Sequence, residues 1–103
     1  MKLLVVIDQG LHLANQNLLP SVEQWLTKME VESCKPLIVV GGEEAKNDSQ
    51  VVDLVLEAIN TNKLCRKSCV LVIGGGAVLD AVGYATSIAH RGILIIRMPT
   101  PTL

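Results

Sequence analysis

A chain of 103 residues is one domain near the lower end of the usual size range, long enough to bury a core and too short for a two-domain enzyme's cleft. Half of it is apolar while Trp25 and Tyr84 are its only aromatic residues, so the core must be aliphatic, as in parallel sheets covered on both faces. The formal net charge is −1 and Lys and Arg are scattered singly, so no basic field exists for counterion-driven binding, and nucleic acid is excluded as a partner.

The first apolar run, residues 3–7, follows Lys2 and briefly resembles a secretory leader, but Asp8 ends it too early and it reads as a strand. His12 falls in the loop after Asp8 and is assigned no catalytic part. Val22, Trp25, Leu26 and Met29 then recur at helical spacing behind a capping box of Ser21 and Gln24, with Pro20 at the helix entrance and Trp25 expected in the core. Residues 37–40 form a second strand. Val51, Val52, Val55, Leu56 and Ile59 give the apolar face of a second helix, N-capped by Asp48 or Ser49 and followed by polar residues 60–63. A third strand spans residues 70–73. The third helix runs from about residue 77 to 89, its Ala81, Gly83 and Ala85 allowing close packing, until Gly92 stops it and residues 93–96 form a fourth strand.

The order βαβαβαβ, joined by right-handed crossovers, predicts an α/β fold: an open parallel sheet of about four strands with helices on both faces. Strand order does not follow from it. Leu-Ile-Val-Val-Gly-Gly at residues 37–42 echoes Val-Leu-Val-Ile-Gly-Gly at residues 70–75, which makes two matched strand-turn units. Cys34, Cys65 and Cys69 are odd in number and lack a Cys-x-x-Cys or neighbouring His pattern, so neither a disulfide framework nor a zinc site is supported; reduced thiols in a cytoplasmic protein are expected. The apolar stretch beginning at Cys69 is broken by three glycines and Asp80, which argues against a membrane span.

Residues 70–80 carry the most chemistry. A β-branched run breaks into Gly74, Gly75 and Gly76 before a helix begins, and without Cβ atoms there a phosphate can approach the main chain at the positive end of the helix. Ligands of open α/β sheets bind outside the carboxyl ends of the strands. Those ends hold Asp8-Gln9-Gly10, Gly41-Gly42-Glu43 with Lys46 close behind, the glycine triplet, and Pro99-Thr100. A carboxylate for ribose, an ammonium for a phosphate, amides for a pyrophosphate and a hydroxyl beside them make a nucleotide inventory. Each also has a purely structural reading: the glycines as a topological turn, Asp80 as a dipole partner in the first helical turn, and Glu43 and Lys46 as solvated loop charges.

The segment Gly74-Gly75-Gly76-Ala77-Val78-Leu79-Asp80, then Gly83, His90-Arg91-Gly92-Ile93 and Arg97-Met98-Pro99-Thr100, resembles the N-terminal domain of dehydroquinate synthase and its sugar phosphate cyclase relatives. Gly42-Glu43-Glu44-Ala45-Lys46 resembles the same family's upstream Gly-Glu-x-x-Lys motif. The glycine triplet with its Asp is shared with iron-containing alcohol and glycerol dehydrogenases, while the Arg-Gly-Ile and Arg-x-Pro-Thr segments favour the cyclases; the intervening wording looks like a divergent subgroup. The resemblance implies a Rossmann-like domain over residues 1–103 that binds NAD through Asp8, Gly42, Glu43, Lys46, Gly74, Gly75, Gly76, Ala77, Asp80 and Thr100. Gly75, Gly76 and Ala77 would receive the pyrophosphate and Asp80 would lie near the nicotinamide end. Arg91 would reach a substrate phosphate from the partner subunit of a homodimer, as a guanidinium's fork suits.

Two departures from the family pattern bear on cofactor affinity: Pro101 replaces a threonine, removing a hydroxyl and an amide donor, and Gly10 stands where many relatives carry Asn. The sequence also stops at Leu103, before the helical domain that in relatives supplies one Glu and two His to a divalent metal such as zinc. The activity implied is that of a carbon–oxygen lyase acting on a sugar phosphate, with the present chain inactive alone. The NAD-binding half of a polyol dehydrogenase and a non-catalytic α/β binding module stay open beside it. Self-association is expected, because the face on which a second domain would pack leaves apolar surface bare.

Overall fold

The computed structural model of the chain describes residues 2–29, 31–40, 48–89 and 92–99. Its centre is β1 (Lys2–Asp8), which pairs in parallel with β2 (Glu32–Ser33) and β3 (Leu37–Val39) along one side and with β4 (Cys69–Gly74) along the other; β5 (Leu94–Pro99) then pairs with β4. Among the described residues the sheet therefore has five strands, where about four were expected. The added strand, β2, escapes a hydrophobicity reading because both of its residues are exposed, and only the pairing of Lys2 with Glu32 and Leu3 with Ser33 makes it one. The repeated sequence also gains a meaning: β3 and β4 are the two neighbours that clasp β1 from opposite sides.

Leu4, Val6, Val70 and Val72 point to one face and pack with Val51, Val55 and Ile59 of α3 (Asp48–Thr61) and Val78, Ala81, Val82 and Ala85 of α4 (Gly76–Ala89). Leu3, Val5, Ile7, Leu71 and Ile73 point to the other, under Leu11 of α1 (Gln9–Ala14) and Leu26 of α2 (Leu18–Lys28). Because both faces are covered, β1 and β4 read as continuous apolar runs rather than alternating ones. Each fully buried Leu or Val contributes about 1.5–3 kcal/mol through area removed from water.

Three expectations about the helices are corrected. The Ser21 capping box does not form: α2 begins a turn earlier, with Asn17 as N-cap, and the Ser21 hydroxyl donates to the Asn17 carbonyl at 2.8 Å. Burial of Leu18 and Leu19 against the sheet draws that extra turn into the helix, and Pro20 is tolerated because N–H groups of a first turn need no intrahelical partner. Trp25 is 48% exposed rather than core, since residues 18, 22 and 26 form the inward stripe and position 25 is turned about 100° from position 26. His12 lies in α1 rather than in a loop, with its Nδ1 buried and without a hydrogen-bond partner. Six residues are too few to show a helical period, so this element is invisible to periodicity.

At the end of α3, Lys63 adopts φ 55°, while the Lys63 N–H donates to Asn60 and the Leu64 N–H to Ile59. This is a left-handed helix termination that glycine occupies at lower cost. Lys63→Gly is expected to stabilise the fold by about 1 kcal/mol, a rise of roughly 4–8 °C in melting temperature by calorimetry. An unchanged or lower melting temperature would show that Lys63 is held by contacts other than this termination.

Candidate functional site

The chain leaves β1 toward β3 on one side and leaves β4 toward β5 on the other, so the direction of winding reverses between β1 and β4. In open parallel sheets this switch point opens a crevice at the carboxyl ends of the two strands, where ligands sit. Asp8 and Gly74 lie there side by side, following the paired Ile7 and Ile73.

The three glycines prove to differ in kind. A Cβ on Gly74 would stand 3.1 Å from the Asp8 Cβ and 3.3 Å from the Cβ and Cγ1 of Val78, so this glycine is demanded by packing. Among the described residues a Cβ on Gly75 or Gly76 would meet nothing within 4 Å, and neither residue has the left-handed φ that would itself call for glycine. Both are exposed. The fold thus accounts for Gly74 and leaves Gly75 and Gly76 bordering open space at the head of α4.

That head carries the donors. The first intrahelical bond runs from the Leu79 N–H to the Gly75 carbonyl at 3.0 Å, which leaves the amides of Gly75, Gly76, Ala77 and Val78 without helical partners, at the positive end of a helix of 14 residues. The Val78 amide was missed by sequence reasoning, because a buried valine gives no sign of ligand contact; it becomes a donor once the helix is seen to start at Gly76. Ala77 and Asp80 are exposed one turn apart on the same helical face. Asp80 lies beyond the first turn of α4, contrary to expectation, so its reading as a first-turn dipole partner is weakened.

Asp8 N-caps α1, its Oδ1 accepting the Gly10 N–H at 3.2 Å. Among the described residues its other carboxylate oxygen has no hydrogen-bond partner. Of the other expected site residues, Gly42, Glu43, Lys46, Arg91 and Thr100 lie outside the described residues. Among the described residues no three His, Cys, Asp or Glu side chains gather as a metal site, and no helix is long and apolar enough to cross a membrane.

The thiols sit away from this rim. Cys65, in the loop leading into the amino end of β4, accepts the Lys67 N–H and the Ser68 hydroxyl and stands near Lys2 and Lys67, which together hold its pKa below the usual thiol value. Burial pushes Cys34 and Cys69 up. Because the thiolate is the nucleophile, limiting iodoacetamide near pH 7 is expected to label Cys65 at least about tenfold faster than Cys69, as read by peptide mass spectrometry, with the gap narrowing as pH rises. Equal rates at pH 7 would contradict the assigned hydrogen bonds.

The family model described as 3-dehydroquinate synthase N-terminal matches residues 36–103. The 3-dehydroquinate synthase of Sulfurimonas denitrificans is 40% identical over 82 residues, covering 80% of this chain and 23% of the relative. That of Bartonella tribocorum is 34% identical over 103 residues, covering 100% of this chain and 26% of the relative. Among solved structures, 2-epi-5-epi-valiolone synthase from Streptomyces hygroscopicus, with NAD+ and Zn2+ bound, superposes with TM-score 0.75 at 28% identity over 95% of this chain and 26% of its own. A 2-deoxy-scyllo-inosose synthase shares the fold at TM-score 0.76 and 24% identity. The chain spans about a quarter of the length of the relatives it matches.

Proposed function

This chain belongs to the 3-dehydroquinate synthase N-terminal family, and from that membership we propose that residues 1–103 are the NAD-binding portion of a 3-dehydroquinate synthase-like sugar phosphate cyclase. The observation that carries the reading is the open space over Gly75 and Gly76 at the winding switch point. Side chains are missing there without a reason internal to the fold, and a close-approaching anion supplies one. The bound NAD+ of the valiolone synthase relative supports the same assignment.

Four main-chain amides, from Gly75 to Val78, would hold the pyrophosphate. Gly74 keeps β1 and α4 close enough for Asp8 to stand beside it, where the free carboxylate oxygen suits a ribose hydroxyl. Asp80, further along the exposed face of α4, would lie toward the nicotinamide end. Gly42, Glu43, Lys46 and Thr100 complete the cofactor set by resemblance, and Arg91 would meet the substrate's phosphate across a homodimer. When bound, NAD supplies a reversible hydride acceptor; the residues of this chain bind and orient it. A divalent metal is given no ligands here, since the described residues offer no group that fits one. The bacterial 3-dehydroquinate synthase relatives support a cytoplasmic location.

Titration calorimetry with NAD tests the binding half of the proposal, with saturable one-to-one binding expected. No heat at millimolar NAD would overturn it and favour a non-catalytic module. The chain by itself is expected to release no phosphate from a sugar phosphate substrate, with or without added zinc. Turnover by the purified chain in a phosphate-release assay would refute that half.

A further inference from the structure

A second concavity lies at the amino end of the sheet, away from the Gly74 rim. Lys2, the first residue of β1, donates from its Nζ to the Asn62 carbonyl at 3.1 Å, which ties the end of α3 to that end of the sheet. Beside it the chain breaks between β2 and β3 at Lys35 and Pro36, and a cavity of about 370 Å³ opens between this break and α3. Its floor is apolar. Leu54 and Ala58 stand one helical turn apart on α3 and face Leu37 of β3; Leu37 and Ala58 pack on the core, while Leu54 is 42% exposed at the mouth.

Three polar residues border that floor. Glu57 and Lys35 carry opposite charges, yet among the described residues neither forms an ion pair. Thr61 is the third. The hydroxyls of Ser21, Thr27, Thr86 and Ser87 each donate to a carbonyl about one turn back at 2.7–2.9 Å, whereas among the described residues the Thr61 hydroxyl makes no hydrogen bond. Surface charges are ordinarily satisfied by water. Here two of opposite sign and an unused hydroxyl surround an apolar floor, which is the make-up of a small-ligand site: an apolar lining with a few polar groups that fix orientation.

We infer that this cavity binds an α-amino acid with an apolar side chain. The ammonium meets Glu57, the carboxylate meets Lys35 and accepts the Thr61 hydroxyl, and the side chain lies on Leu37, Leu54 and Ala58. Charge selects this class. A ligand of one sign leaves either Glu57 or Lys35 facing an uncharged end, and a nucleotide, anionic throughout, is repelled by Glu57. Size agrees, because the volume lies near the lower end of the range for ligand pockets and admits a single amino acid rather than a longer peptide. So small a ligand at an open site is held weakly, with a dissociation constant on the order of 1 mM. The inference concerns a site apart from the cofactor rim and does not rest on nucleotide binding, so a chain that fails to bind NAD leaves it intact.

Amide chemical-shift titration of the chain with L-leucine tests it, since the shifts report both place and affinity. Saturable shifts are expected at Leu37, Leu54, Ala58 and Thr61. Two analogues divide the charges: 4-methylpentanoate lacks the ammonium and 3-methylbutylamine lacks the carboxylate, and each is expected to bind at least about threefold more weakly than leucine. Glu57→Gln should weaken leucine by a similar factor without weakening 4-methylpentanoate, and Lys35→Gln should weaken leucine without weakening 3-methylbutylamine. Glu57 and Lys35 are both exposed, so the two variants are expected to fold, as their unperturbed amide spectra away from the cavity would show. No saturable shift at tens of millimolar leucine, shifts centred elsewhere, analogues that bind as well as leucine, or leucine binding unchanged in both variants would each overturn the inference.

Discussion

Valine at position 75 or 76 is expected to weaken NAD binding by at least about tenfold while leaving the melting temperature unchanged or raised. The two effects have separate causes. A side chain at either position projects into space where the fold places nothing within 4 Å, so no packing is disturbed. At position 76, inside the helix, replacing glycine also removes its conformational cost, worth a few tenths of a kcal/mol for valine. An anion resting on the amides of the first turn would be displaced, and tenfold corresponds to about 1.4 kcal/mol. Calorimetric titration beside thermal unfolding separates the two readouts. Binding unchanged in both variants would remove the basis of the nucleotide assignment, because the open space would then be unused.

How far this was readable beforehand depends on what each element owes to local pattern. β1 and β4 were legible because strands buried on both faces write themselves as unbroken aliphatic runs, and α3 and α4 because Val51, Val55 and Ile59, or Val78, Val82 and Ala85, keep a helical period. The parts that failed to show are set by tertiary contact. Glu32 and Ser33 are a strand only because Lys2 and Leu3 lie beside them, and the start of α2 is decided by burial of Leu18 and Leu19 rather than by the capping residues near Ser21.

The site divides the same way. The glycine triplet, Asp8 and Asp80 announce themselves by residue type, but their meaning needed the strand order. Only with β3 and β5 on opposite sides of the central pair does the crevice fall between Asp8 and Gly74. Likewise only neighbouring atoms separate Gly74, which the fold requires, from Gly75 and Gly76, which it does not. Three identical residues in a row have two different reasons to be glycine.

Gly74 is accordingly the position where substitution should damage the fold itself. A Cβ there presses on Asp8 and on Val78, which is 1% exposed and has no room to retreat. Overpacking of this kind costs about 1–3 kcal/mol for a small addition, and valine adds two further methyl groups, so Gly74→Val is expected to lower the melting temperature by more than about 8 °C. Cofactor binding should fall with it, since the same displacement moves β1 from the head of α4. Val78→Ala removes the Cγ1 atom, one of the three nearest obstacles to a Cβ at position 74, and by itself leaves a cavity costing about 1–2 kcal/mol. If the clash is the cause, the two changes must couple: Gly74→Ala combined with Val78→Ala should be more stable than the sum of the single losses by about 0.5 kcal/mol or more. Strict additivity in a double-mutant cycle would mean that Gly74 and Val78 act independently, and that the close approach of β1, β4 and α4 at the switch point is not what holds this rim in shape.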